Sequence, residues 1–186
     1  MDARKGCIGV VPFGEVPESA SQDIITHIHS CLDLPAVVLP PAHCPPEAYD
    51  ERRKQYNAAT IIKAMESMPF PDHDKIIGVL NIDLFIPIFT HVLGEAQEGG
   101  KFALASMYRL RRGKAGSQPT MEKILERLAK VALHEIGHLF NAGHCMDPKC
   151  LMHFSGGLKD IDSITLHFCT YCSEYLREAI RRQITL

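Results

Sequence analysis

The chain has 186 residues, 46% hydrophobic and 23% charged, with a net charge of −2. That is the composition of one soluble globular domain, neither disordered nor built around a basic surface for nucleic acid. No apolar run reaches the ~18 residues of a membrane span, and the short stretch ending at Phe13 is too brief for a signal peptide, so a cytoplasmic protein is expected.

Residues 7–13 read as a buried strand. Ile24, Ile25, Ile28 and Leu32 then recur at helical spacing, giving a helix over 17–32. A short strand over 36–39 is closed by Pro40 and Pro41, and a polar, proline-containing loop runs to about Asn57. Ile61, Ile62, Ala64 and Met65 mark a second helix ending near Pro69-Phe70-Pro71. Residues 75–82 form the expected central strand, and 89–96 and 102–108, split by Gly99-Gly100, an antiparallel hairpin. The basic run Arg109, Arg111, Arg112 and Lys114 reads as a solvated loop. A long helix starts near Pro119 with a stripe of Met121, Leu125, Leu128, Val131, Ala132 and Leu139, and a last helix spans 173–183. Strands alternating with helices predict an α/β fold with a mixed sheet and an antiparallel edge hairpin.

From about Gly143 the pattern stops for roughly 30 residues, unusual in a compact domain without another source of order. Four of the seven Cys and five of the ten His fall between 134 and 172. The odd Cys count argues for metal or thiol chemistry over a disulfide framework.

His134 and His138 are four apart on the long helix, one turn on the same face, where two imidazoles can chelate one Zn²⁺. Glu135 cannot join that pair as a ligand but can reach a water at an open coordination position, as a general base does. Asn141 and Gly143 tolerate the left-handed backbone that ends a helix, and His144 follows them as third ligand. Three neutral His and a water make a catalytic site; the chemistry is hydrolysis of an amide bond. Cys145 and Cys150, with the C-x-x-C pair Cys169 and Cys172 about twenty residues on, fit a closed, structural tetrahedral zinc site. Because Cys145 follows His144, this second site is expected to help aim the third histidine.

The string His134-Glu135-x-x-His138-x-x-Asn141-x-x-His144-Cys145, with Cys150-x-Met152 and Cys169-x-x-Cys172, resembles the archaemetzincins, a branch of the metzincin zinc peptidases. The resemblance implies a twisted mixed sheet with an antiparallel edge strand, a long active-site helix and an irregular, zinc-stabilised C-terminal region ending in a helix. It implies a single metallopeptidase domain, with residues 1–143 as its upper portion and residues 144–186 as its lower. It implies catalytic zinc on His134, His138 and His144, Glu135 as general base, Met152 in the turn under the metal, and a second zinc on Cys145, Cys150, Cys169 and Cys172. By order, the substrate-holding strand would be about 89–94. Asn141 departs from the glycine of the family pattern.

The expected partner is a peptide or protein substrate, met by a monomer, with neither nucleic acid nor membrane involved. Two alternatives stay open: a non-hydrolytic zinc protein that binds peptides, and a zinc hydrolase acting on another bond. Bacterial RNA-processing endonucleases with three His at these intervals lack the Glu after the first His. His153 is a candidate for the cleft wall; His27, His29, His43, His73 and His91 read as surface or core residues, and Cys7, Cys31 and Cys44 as buried or free thiols.

Overall fold

In the computed structural model, which describes residues 7–70, 72–113, 118–153 and 156–184, the apolar runs become strands buried on both faces. Met1 to Gly6, Pro71 and Lys114 lie outside the described residues. Strands β1 (Ile8–Phe13), β2 (Ala36–Val38), β5 (Lys75–Leu80), β8 (Gly94–Ala96) and β9 (Phe102–Ser106) form a sheet in the order β2-β1-β5-β9-β8. The first four pair in parallel and β8 runs antiparallel to β9, opposing Glu95 to Leu104. The mixed sheet with an antiparallel edge is the expected fold class.

Side chains alternate across this sheet and divide the core in two. On one face Val10, Ile77, Val79, Ala103 and Ala105 pack under α1 (Glu18–Leu32) and α3 (Met121–Leu139). On the other, Val11, Ile76, Leu80, Phe102 and Leu104 pack with α2 (Ala58–Met65). Each fully buried aliphatic side chain contributes roughly 1.5–3 kcal/mol of transfer free energy. The first core also takes Leu151, Met152, Ile161 and Leu176, so the C-terminal region shares it.

Three details differ from the sequence expectation. The polar loop before Asn57 holds a 3-10 turn (Pro46–Ala48) and two short strands, β3 (Tyr49–Asp50) and β4 (Gln55–Asn57). With β6 (Leu84–Ile86) and β7 (Phe89–Val92) these form a second sheet in the order β3-β4-β6-β7. The expected 89–96 strand is thus two strands in two sheets; only β8 makes the hairpin with β9, and 89–92 belongs to β7. The irregular stretch contains α4 (Leu158–Ser163), and the last helix, α5 (Thr170–Ile184), starts earlier than Ser173.

α3 carries His134, Glu135 and His138. Thr120 caps its start, accepting from the Lys123 N–H at 3.3 Å. Its far end stops at Asn141, in the left-handed region at φ 62°. Among the described residues no helix is long and apolar enough to cross a membrane.

Candidate metal centre and cleft

One turn of α3 puts His134 and His138 on a common face, and the reversal at Asn141 brings His144 beside them. A ring nitrogen from each, able to hold a metal, lies within 4.8 Å of the other two. The His134 ring is stacked on His144 at 5.2 Å and edge-on to His138 at 4.7 Å.

The second nitrogen of each helical ring fixes its tautomer. His134 Nδ1 donates to the Leu151 carbonyl at 2.7 Å, and His138 Nδ1 to the Ala142 carbonyl at 2.8 Å. A carbonyl only accepts, so Nδ1 carries the proton in both rings and the Nε2 lone pairs face each other, 3.0 Å apart. Two facing lone pairs repel unless a cation lies between them. Tetrahedral zinc with bonds of about 2.0–2.1 Å sets such nitrogens about 3.3 Å apart. Donor set and spacing therefore fit a zinc ion. Burial holds His134 neutral, its pKa lowered to about 4 against the opposing pull of the Leu151 carbonyl. Burial also lowers His138. A ligand imidazole must be neutral.

Glu135 lies against the sheet edge at β8. A Cβ built on Gly94 would lie 2.6 Å from Glu135 Oε1, so only glycine lets β8 pass this close to the carboxylate. Burial, with Glu95 nearby, raises the Glu135 pKa well above the usual carboxylate range. Residues of β7, β8 and α3, with His144 and Ile164, enclose a cleft of about 640 Å³ into which His134, Glu135 and His138 open.

A Cβ on Gly137 would overlap Met152 Sδ, so Met152 sits fully buried against α3 at Gly137. The helix break is held from three sides. Gly99 N–H donates to the His138 carbonyl at 2.9 Å. Lys75, buried beneath the helix end, donates to the Leu139 and Gly100 carbonyls, each at 2.8 Å. Tyr175 Oη on α5 donates to the Asn141 carbonyl at 2.8 Å.

The four cysteines also gather, their sulfurs within 4.8 Å of one another, with Cys145 and Cys169 at 3.8 Å. Tetrahedral zinc with Zn–S of about 2.3 Å separates its sulfurs by about 3.8 Å, so this group fits zinc too. Backbone N–H groups point at the sulfurs: Met152 and Cys169 at Cys150, Cys172 at Cys169. The Cys172 N–H pulls the Cys169 thiol down, while burial pushes Cys150 and Cys172 up. A cation among them resolves that conflict by favouring thiolate at every position.

Other singled-out residues lie elsewhere. His153 Nδ1 donates to the Cys145 carbonyl, beside the cysteine group. Arg109 is no free solvated cation but pairs with Asp83, Nη2 to Oδ2 at 2.7 Å. His91 lines the cleft, through β7. Cys7, Cys31 and Cys44 are free thiols. Sequence reading missed Lys75 and Tyr175. Gly94 carried a usable signal, since a glycine inside a strand marks a close approach of another group.

A family model for peptidase family M54 matches residues 18–178. The archaemetzincin of Methanopyrus kandleri is 33% identical over 156 residues, 84% of this chain and 85% of that protein. Its crystal structure superposes with a TM-score of 0.87 over 98% of this chain and 100% of that one. The archaemetzincin of Pyrococcus furiosus is 33% identical over 180 residues, 93% of each chain. A zinc-dependent peptidase from Methanocorpusculum labreanum superposes with a TM-score of 0.80 at 26% identity, over 91% of this chain and 99% of that one.

Proposed function

From the premise that this chain belongs to peptidase family M54 and is a zinc metallopeptidase, we propose that His134, His138 and His144 hold its catalytic zinc and that Glu135 is the general base. The observation that carries this reading is the pair of Nε2 atoms 3.0 Å apart, with both Nδ1 protons committed to carbonyls. When bound, zinc acidifies a water and polarises the scissile carbonyl.

The chain's own residues do the rest. β8 offers its free edge to an extended peptide, holding the scissile bond beside Gly94 and within reach of Glu135. Glu135 takes a proton from the attacking water and hands it to the departing amine. The walls of the cleft limit bulk water around that transfer. Cys145, Cys150, Cys169 and Cys172 hold a second, structural zinc, which fixes the backbone next to His144. Residues 1–143 and 144–186 then act as upper and lower walls of a single domain, in which a monomer cuts peptide substrates.

A panel of quenched peptides, cleaved by the zinc-loaded protein, tests this. Glu135→Ala is expected to lower kcat by about 10²–10⁴-fold with zinc content unchanged. Activity retained in that variant overturns the role of Glu135. Peptide binding without cleavage by the wild type favours a non-hydrolytic protein.

A further inference from the structure

Two of the three histidines depend on the reversal after α3, and a buried lysine of the sheet grips that reversal. His144 reaches the site only through the turn at Asn141, and the Ala142 carbonyl in the same turn orients the His138 ring. Lys75 opens β5 opposite Ile8 of β1 and is 6% exposed. Its Nζ donates to the Leu139 carbonyl at the end of α3 and to the Gly100 carbonyl in the turn between β8 and β9, each at 2.8 Å. It also lies 5.0 Å from the centre of the Phe140 ring. Both hydrogen-bond partners are neutral carbonyls, and taking an ammonium out of water is costly. Carbonyls at a helix C-terminus offset that cost, because they lack partners within the helix and carry the negative end of its dipole. The turn that Lys75 holds touches the rest of the site as well. Gly99 N–H donates to the His138 carbonyl at 2.9 Å, and a Cβ on Gly99, at φ 64°, would overlap Asn141 Oδ1. The strand leading into the turn lies against Glu135 at Gly94.

We propose that Lys75 is a positioning residue for the hydrolytic site: it locks the end of α3 to the turn between β8 and β9, and so sets His138 and His144 for the metal. The proposal rests on the zinc reading above. Lys75 acts through the chain. From the Leu139 carbonyl it is three residues to Ala142, whose carbonyl holds His138, and five to His144. Without the ammonium, Leu139 and Gly100 lose their shared donor, and the turn is free to shift against the helix end. An apolar side chain of similar length fills the same space and makes no bridge, so it separates packing from positioning. Replacing a buried charge in this way is often neutral for folding. Loss of a group that orients metal ligands weakens metal binding or activity by about 10–100-fold. The free edge of β8 is untouched, so the effect falls on metal affinity and kcat and spares KM.

The test compares wild type with Lys75→Met and with Ile77→Ala, which removes only packing from the same strand. Chelator competition on the zinc-loaded protein gives the affinity of the three-histidine site. Cobalt exchanged into that site reports its geometry through the d–d bands, and quenched peptides give kcat and KM. Lys75→Met is expected to hold zinc at least about tenfold more weakly, to change the d–d bands, and to lower kcat about tenfold with KM unchanged. Its urea midpoint should fall no further than that of Ile77→Ala. Lys75→Gln, with a donor on a shorter stem, should lie between wild type and Lys75→Met. Wild-type affinity and spectrum in Lys75→Met overturn the proposal. So does an equal loss of zinc affinity in Ile77→Ala, because any destabilisation would then loosen the site. Should Lys75→Met fail to fold, Lys75→Gln takes its place, and wild-type affinity and spectrum there overturn the proposal. Wild type without metal between the three rings refutes the zinc reading, and the proposal falls with it. If wild type binds zinc and cuts no peptide, weaker binding and changed bands in Lys75→Met still sustain the role of Lys75 while the peptidase reading fails.

Discussion

Every residue of β5 and β9 is buried, whereas from Gly143 to Lys149 only Cys145 is even half-buried. The first region takes its shape from apolar contact on both faces of a sheet, where displacing any one side chain disturbs many others. The second has almost no apolar surface of its own, and Met146 is 92% exposed. It is pinned at points: the four sulfurs, Cys145 N–H on the Met152 carbonyl at 2.7 Å, and Leu151 N–H on the His167 carbonyl at 3.0 Å. His134 and His138 stand on the packed region and His144 on the pinned one. The three-histidine site is therefore only as ordered as its less buried half.

Damage to the two regions should look different. The largest effect is expected from Cys150→Ala, which removes a buried sulfur of the four-cysteine group. Both metal content and peptide turnover should fall steeply, and the chain after residue 143 should become the first site of proteolytic nicking. Full occupancy of the three-histidine site in that variant, by metal analysis, would separate the two groups and break the contrast. Ile77→Ala, in the packed region, should cost about 2–5 kcal/mol in urea unfolding while kcat per folded molecule stays near wild type. A selective loss of zinc affinity there would show that the sheet too aims the site directly.

Tyr175→Phe deletes one bond, to the Asn141 carbonyl, at the joint between the regions. It should cost about 1 kcal/mol, read as about fivefold weaker zinc binding at the three-histidine site and a changed visible spectrum after cobalt substitution. An unchanged spectrum with lowered Tm would reduce Tyr175 to a stability role.

The smallest effect concerns acid. Arg127 on α3 holds Asp162 on α4 through a hydrogen-bonded ion pair, Nη2 to Oδ2 at 2.7 Å, and lowers the Asp162 pKa from 3.8 to about 2. A depressed carboxyl stabilises the fold above its unfolded value, and that contribution fades as pH falls from about 4 through about 2. Urea midpoints of wild type and Asp162→Asn should differ at pH 6 and converge near pH 2. Midpoints that stay apart at acid pH would assign the difference to packing.

How much could be read from the sequence follows the same division. β1, α1, β5 and α3 were legible because dense apolar runs and a helical stripe announce themselves locally. The two zinc-fitting groups were legible because their residues lie close in sequence. The second sheet was not. β3, β4 and β6 are two or three residues each, and the parallel pairing of β4 with β6 joins Tyr56 to Leu84, with no local signal. α4 was hidden because its six residues are mostly polar and only Ile161 is buried. Lys75 opens the expected central strand, yet its side chain is buried and donates to the Leu139 carbonyl at the end of α3. These features depend on partners distant in the chain.

The most direct measurement is an anomalous-scattering map of crystals of the zinc-loaded protein, recorded on both sides of the zinc edge. The expected result is one peak about 2.0–2.1 Å from nitrogens of His134, His138 and His144, its fourth position filled by solvent, and a second among the four sulfurs. A map without density between the three rings, or with a protein atom closing that fourth position, contradicts the catalytic assignment.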